Sequence, residues 1–214
     1  METSIADLRL NYTLGGLQEA DLDPDPFSQF QLWLEQAIAA GVREPNALTL
    51  ATATIDAKPS ARIVLLKGLD DRGFVFYTNY DSLKGKQLIN NPHAALVFLW
   101  GDLERQVRIE GTIEKVSPQE SDTYFYSRPF GSQLGAWVSN QSEVIASREV
   151  LEKRLEAFTA EYTPENITRP PHWGGFRVIP TEIEFWQGRP NRLHDRLRYR
   201  QNDRRVWTIE RLAP

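Results

Sequence analysis

Between Arg192 and Arg200 the string RLHDRLRYR repeats a basic residue at every second position. On an extended strand, a period of two sets Arg192, His194, Arg196, Arg198 and Arg200 on one face. Like charges stacked along a strand repel, so such a row requires either bulk water or an anion to compensate it. A solvated face with scattered salt bridges competes on equal terms for the outer three, Arg196, Arg198 and Arg200. Arg192 and His194 sit beside the turn QGRPN and the pair Phe185-Trp186, which favours a ligand-facing role there. A second basic pair, Arg62 and Lys67, brackets the apolar run IVLL. Their odd separation puts them on opposite faces of a regular strand, so one site uses both only if the strand ends or bulges between them. Plain edge charges explain the spacing equally well. In the string YFYSRP (124–129) a helix end gathers Tyr124, Tyr126, Ser127 and Arg128. That is compensation of the C-terminal dipole in most proteins and phosphate binding in a minority.

The missing motifs narrow the chemistry. Neither G-x-G-x-x-G nor a P-loop occurs, which disfavours Rossmann nucleotide binding and NTPase activity. G-x-S-x-G and H-E-x-x-H are absent too. With no cysteine and only three histidines, disulfides, thiolate zinc, iron–sulfur clusters and a Cys nucleophile drop out, and no metal site is expected. The 25 Lys+Arg against 29 Asp+Glu leave a formal charge of -4, so no global positive field recruits nucleic acid or a membrane surface. An anion site must be a local cluster of Arg and Lys side chains. METSIADLRL lacks a basic region followed by an apolar one, and the longest apolar run is Ala94 to Trp100. The reading is a cytoplasmic-type protein.

These residues need a scaffold. The 214 residues, 41% hydrophobic and 25% charged, suit a globular chain with a sizeable core. A helix opens at Asp25-Pro26, with Phe27, Phe30, Leu34, Ala37 and Ile38 on one stripe, and stops at Gly41. ALTLATATI, SARIVLLKGL and FVFYT then read as strands of an antiparallel meander. A short helix covers 82–90, and AALVFLW and RQVRIEGTIEKV add two strands around Gly101-Asp102. About five strands is where closure into a barrel becomes attractive. Ser117 and Glu120 form a capping-box pattern opening a helix that runs to about Ser127, and a second helix covers 147–162. Strands near 176–178, 182–186, 193–200 and 206–211 complete the first sheet. The fold class is mainly β with peripheral helices, as a lead segment (1–23) and a single domain (24–214).

Several strings stand in one order: RIVLLK (62–67), FYTN (76–79), ERQVRIEG (104–111), YFYSRP (124–129), SQLGAWVSNQS (132–142), WGGF (173–176), EFWQG (184–188), RLHDR (192–196) and ERLAP (210–214). Together they resemble the pyridoxamine 5'-phosphate oxidase family over nearly the whole chain, RLHDR after EFWQG most specifically. The resemblance implies an antiparallel FMN-binding split β-barrel and a homodimer with FMN in clefts between subunits. It also implies oxidation of pyridoxine 5'-phosphate or pyridoxamine 5'-phosphate to pyridoxal 5'-phosphate. Hydride passes from substrate C4' to flavin N5, dioxygen reoxidises the flavin to give hydrogen peroxide, and the amine substrate loses ammonia after imine hydrolysis.

By the same resemblance, FMN contacts fall on Arg62, Ile63, Val64, Leu65, Leu66, Lys67, Tyr77, Thr78, Lys84, Gln106, Gln141, Ser142, Trp186 and Arg196. Lys67, Tyr124, Arg128 and Ser132 fall around the substrate phosphate. Arg192 and His194 fall near the reacting pyridine ring as the catalytic pair, orienting it more than moving protons. Arg9 and Tyr12 match an R-x-x-Y lead that can close over the substrate. The chain departs from the pattern at Leu83, where a cation is common, at Leu10-Asn11, and at Tyr126, where His is common. Two other readings remain open: another split-barrel FMN-dependent reductase, which would bind flavin but not turn over pyridoxine 5'-phosphate, and a non-catalytic FMN or pyridoxal phosphate binding protein, which would exchange ligand without consuming oxygen.

Overall fold

The structure, a computed structural model, describes residues 4–8 and 10–214. The strands are β1 (Ala47–Ala53), β2 (Pro59–Leu65), β3 (Gly68–Asp70), β4 (Gly73–Asn79), β5 (His93–Trp100), β6 (Arg105–Lys115), β7 (Trp173–Gln187), β8 (Asp195–Gln201) and β9 (Trp207–Arg211). The α-helices are α1 (Pro26–Ala39), α2 (Leu83–Asn90), α3 (Pro118–Ser127), α4 (Phe130–Val138) and α5 (Glu149–Glu161). Strand order is β2-β1-β5-β6-β7-β4-β3, with β8 on β7 and β9 on β8. The expected simple meander is therefore interrupted: β4 pairs with the late strand β7. The first half of β7 pairs with β4, from Phe74↔Val178 to Asn79↔Trp173, and its second half with β8, from Glu182↔Arg200 to Gln187↔Asp195. Pro180, which has no N–H to give a ladder, lies between the two pairings.

The chain divides into two compact units, one of residues 1–49, 95–111 and 180–214, the other of 50–94 and 112–179. In the first, Asp25 caps α1 by accepting from the backbone N–H groups of Phe27 and Ser28, and Pro26 occupies the first turn. The buried face of α1 is Phe30, Trp33 and Ala37, rotated from the stripe expected from the sequence, so that Ile38 is left exposed. Phe30 packs on Phe98 at 4.9 Å and Trp33 stands edge-on to Phe185 at 5.1 Å. Each such burial contributes about 1.5–3 kcal/mol.

In the second unit, Asp70 Oδ1 accepts from the N–H groups of Arg72 and Gly73 and turns β3 into β4. Ser82 and Ser117 cap α2 and α3. Phe125, Leu134, Ala136, Ile167 and Trp173 form a core cluster on which Tyr77, Tyr124 and Trp137 pack. Helix α4 escapes a sequence reading because Gly131 and Gly135 weaken its propensity; burial of Leu134, Ala136 and Val138 overrides that. Gly174 and Gly175 let β7 pass close to its neighbours: a Cβ at Gly175 would lie 2.7 Å from Val116 and 2.8 Å from Tyr77.

Candidate functional site

Strand β2 stops at Leu65, Leu66 turns into the core at 7% exposure, and the Lys67 N–H donates to the Val75 carbonyl at 2.8 Å. This break answers the spacing problem of Arg62 and Lys67, because both now line one cavity of about 630 Å³. Ile63, Val64, Leu65, Tyr77, Thr78, Lys84, Tyr124, Arg128, Ser132 and Gln141 line it too. Leu66 does not, because it lies in the break between β2 and β3 and its side chain serves the core. Trp173, Asn79 and Ser139 also line the cavity and were not anticipated. The WGGF string marked the position of Trp173 without indicating where its ring goes.

Among the described residues, four cations and no carboxylate line this cavity. Arg62 donates to the Leu50 carbonyl at 3.2 Å, to Thr52 Oγ1 at 2.6 Å and to Gln87 Oε1 at 3.2 Å. Lys84 Nζ donates to Thr78 Oγ1 at 3.2 Å and Gln141 Oε1 at 2.9 Å. All these acceptors are neutral. Burial lowers the pKa of Arg62, of Arg128 and of Lys84, the last also through the neighbouring Arg62 charge. Cations taken from water without counter-charges mark a place for an anion. Arg128 makes the same point by geometry: its guanidinium lies 4.5 Å over Trp173, and Nη1 is buried without a hydrogen-bond partner. Tyr77 stacks on Tyr124 at 3.9 Å and on Trp173 at 5.5 Å, and burial pushes its phenol up to about 12, so it remains a hydrogen-bond donor at neutral pH.

A second cavity of about 550 Å³ shares Asn79 and Gln141 with the first and is lined by Leu83, Lys86, Ser142 and His172. Ser142, held at φ 74, accepts from the Leu83 N–H at 3.2 Å. Leu83 and Lys86 therefore face this second space.

In the other unit, β8 begins only at Asp195, because Asn191 and Arg192 adopt left-handed φ values of 58 and 61 in the turn Pro190–Arg192. Arg192 and His194 thus leave the strand face on which alternation would place them. In the remaining row two arginines are neutralised by carboxylates, Arg196 by Glu184 at 2.7 Å and Arg198 by Glu182 at 3.2 Å and by Glu210, and Arg200 is exposed to solvent. No anion is needed to hold this row. Trp186 stands directly opposite Arg196 in the register. His194 Nδ1 accepts from the Arg189 N–H at 3.1 Å, which leaves the ring proton on Nε2. Its ring lies 4.6 Å from Trp186 and 5.6 Å from Tyr12, and burial together with the Arg192 charge lowers its pKa. Tyr12 lies over Gly188, where a Cβ would meet its ring at 2.7 Å, and the next two N–H groups, of Thr13 and Leu14, donate to the Glu104 carboxylate. Tyr12 and Arg192 line a third cavity of about 450 Å³ with Leu10, Asn11 and Arg189. Gln106 lies half-buried on β6 and does not line the 630 Å³ cavity. Arg9 lies outside the described residues.

Residues 34–161 match the family model described as pyridoxamine 5'-phosphate oxidase, and residues 173–214 the one described as the pyridoxine 5'-phosphate oxidase C-terminal dimerisation region. The chain belongs to the pyridoxamine 5'-phosphate oxidase family. A pyridoxine/pyridoxamine 5'-phosphate oxidase of Gloeothece citriformis is 66% identical over 100% of both chains. One of Paraburkholderia phymatum is 61% identical over 99% of this chain and 100% of its own. Among solved structures, PhzG from Burkholderia lata, in complex with tetrahydrophenazine-1-carboxylic acid, superposes with a TM-score of 0.86 at 33% identity, covering 91% of this chain and 95% of that one. A pyridoxamine 5'-phosphate oxidase-related, FMN binding protein from Nostoc punctiforme shares the fold at TM-score 0.71 and 18% identity, covering 90% and 100%. The fold is accordingly the antiparallel split barrel with peripheral helices. As a pyridoxamine 5'-phosphate oxidase family member the chain is an FMN-dependent oxidoreductase of vitamin B6 metabolism and pairs as a homodimer. Among the described residues no helix is long and apolar enough to cross a membrane.

Proposed function

We propose that the four-cation cavity holds the phosphates of FMN and of pyridoxine or pyridoxamine 5'-phosphate, and that the chain converts these substrates to pyridoxal 5'-phosphate with dioxygen as acceptor. The observation that carries the reading is the carboxylate-free lining with the unpartnered Arg128 Nη1. Bound FMN would supply the hydride acceptor for substrate C4' and, with dioxygen as its oxidant, the two-electron route to hydrogen peroxide. Arg62 and Lys84, whose charges already oppose each other, hold the FMN phosphate with Thr78 and Gln141, while Ile63, Val64 and Leu65 supply an apolar wall. Lys67, Tyr124, Arg128 and Ser132 hold the substrate phosphate, with the Arg128 plane set by Trp173. Gln106, Ser142, Trp186 and Arg196 also serve the flavin, a role supported by family likeness. Leu66 serves it only through the backbone that carries Lys67.

Arg192 and His194 orient the pyridine ring. With Nδ1 accepting from Arg189, His194 offers Nε2–H as a donor and does not act as a base. The lead segment, through Tyr12 and with Arg9, covers the substrate. We place the enzyme in the cytoplasm on family likeness.

The likeness to PhzG, crystallised with a tetrahydrophenazine carboxylic acid, raises an unphosphorylated ring as a second substrate class. Four cations favour the phosphorylated one. Purified protein is expected to be yellow, and pyridoxine 5'-phosphate added without oxygen is expected to bleach the flavin band, with air restoring it as hydrogen peroxide appears. A flavin band bleached by the phenazine precursor and untouched by both B6 phosphates would overturn the assignment.

A further inference from the structure

Arg196 is gripped by groups outside the binding residues assigned above. Its Nε and Nη2 donate to the two carboxylate oxygens of Glu184, at 2.7 and 3.0 Å, and its Nη1 donates to the Ala213 carbonyl at 2.9 Å. A guanidinium has about five N–H donors, so these bonds fix its plane and leave the remainder pointing in set directions. Glu184 is 3% exposed on β7, and a second cation, Arg108, donates to its Oε2 at 3.2 Å. Neighbouring Arg198 is held differently: its partners Glu182 and Glu210 have side chains 26% and 42% exposed, against 4% for Glu184. A carboxylate that deep is costly to bury and is retained only where its partners compensate it.

We propose that Glu184 is a positioning residue for the cofactor, acting through Arg196. It fixes the guanidinium on the strand position directly opposite Trp186, so that ligand binding does not have to immobilise a long flexible cation. Arg108 helps hold the carboxylate in place beside Arg196 when no ligand is bound. The inference rests on the reading that Arg196 serves FMN.

Apoprotein titrated with FMN, followed by flavin fluorescence quenching, tests it in a double-mutant cycle of Glu184→Gln and Arg196→Ala. Each single variant is expected to raise the FMN dissociation constant by about tenfold or more, the scale of a charge-assisted hydrogen bond. The double variant is expected to bind no more weakly than Arg196→Ala alone, because Glu184 has nothing left to position. A residue that merely stabilised the fold would give additive losses, and additivity would overturn the proposal. So would an unchanged affinity in Glu184→Gln beside a weakened Arg196→Ala. Unchanged affinity in Arg196→Ala would remove the underlying reading of Arg196, and the proposal with it. Should Glu184→Gln fail to fold, as judged by the melting transition of the apoprotein, Glu184→Asp keeps the charge between the two arginines and shortens its reach. Its smaller loss should likewise vanish in the Arg196→Ala background, and a loss that persists there overturns the proposal.

Discussion

The 630 Å³ cavity of one unit and the β8 row of the other are built from the same basic residue types and end in opposite electrostatic states. Along β8, Arg196 and Arg198 meet Glu184, Glu182 and Glu210 from the strands on either side. Around the cavity, Arg62, Lys84 and Arg128 meet carbonyls, hydroxyls, amides and aromatic faces, Lys67 lines the same space, and no carboxylate does so among the described residues. The direction of the shifts follows this division. Carboxylate hydrogen bonds raise the pKa of Arg196 and Arg198, whereas burial lowers that of Arg62, Lys84 and Arg128. A cation left without a carboxylate points to a ligand by itself, whereas a paired one such as Arg196 is assigned to the flavin only through family likeness.

The largest effect should come from breaking the uncompensated side of this contrast. Arg62→Ala, or Lys84→Ala, is expected to weaken FMN binding by about 1.5–3 kcal/mol, one to two decades, since each removes a charge-assisted bond to a phosphate. Isothermal titration of apoprotein with FMN measures it, and the loss should shrink as salt rises. An unchanged dissociation constant in both variants would mean that the cavity's positive charge is not there for the cofactor.

Next in size is Arg128→Ala. Flavin should stay bound while KM for pyridoxine 5'-phosphate rises by about tenfold or more, the worth of one charged hydrogen bond. Steady-state kinetics on the flavin-loaded variant decide this. Release of flavin would merge two phosphate subsites that are here kept apart.

Why the contrast was hidden in the sequence is visible in particular residues. The chain order of the strings and the helix starts at Asp25, Ser82 and Ser117 could be read directly, because caps and local periods are short-range signals. The end of β2 at Leu65 could not, because IVLL reads as one apolar strand run and the break within it is set by Lys67 bonding to Val75 and Leu66 entering the core. Likewise the sequence left the outer β8 residues open between an anion site and a salt-bridged face, because the compensating carboxylates lie on β7 and β9, as far as 16 residues away for Arg198 and Glu182. Trp173 could be seen as an aromatic and not as the plate beneath Arg128. Pairing across a sheet is a long-range property, and only the register shows which charges are already answered.

His194 offers a smaller effect that sharpens the comparison, since it stands beside the positive Arg192 and is held neutral. Its folded pKa lies below the ordinary value of 6.5, by burial first and by the Arg192 charge second. Protonation would place a second donor against the Arg189 N–H. The unfolded chain therefore takes the proton more readily, and the stability this neutral ring contributes is present above pH 6.5 and lost as pH falls through the depressed folded pKa. The expected kcat/KM profile has an acid limb below 6.5 that is absent in His194→Gln. A limb above that value, or one that survives the substitution, would remove the neutral-donor role.

The smallest expected effect is the control that gives the contrast its meaning. Arg198 makes more hydrogen bonds to carboxylates than any cavity cation does, reaching Glu182 at 3.2 and 3.3 Å and also Glu210. Number of contacts alone would rank it above Arg128. Both carboxylates keep access to water, with side chains 26% and 42% exposed, so removal of the guanidinium lets them rehydrate. Arg198→Ala should then cost about 0–1 kcal/mol in stability, in the range of surface pairs. Its FMN dissociation constant and its kcat/KM should match those of the unaltered protein, because it does not line the cavity and, unlike Arg196, has no family likeness that puts it at the flavin. Chemical denaturation and the same FMN titration used for Arg62→Ala give both numbers on one preparation. A tenfold weakening of FMN in Arg198→Ala would show that this arginine serves the ligand as Arg196 does, and the distinction drawn between the two neighbours on β8 would fall.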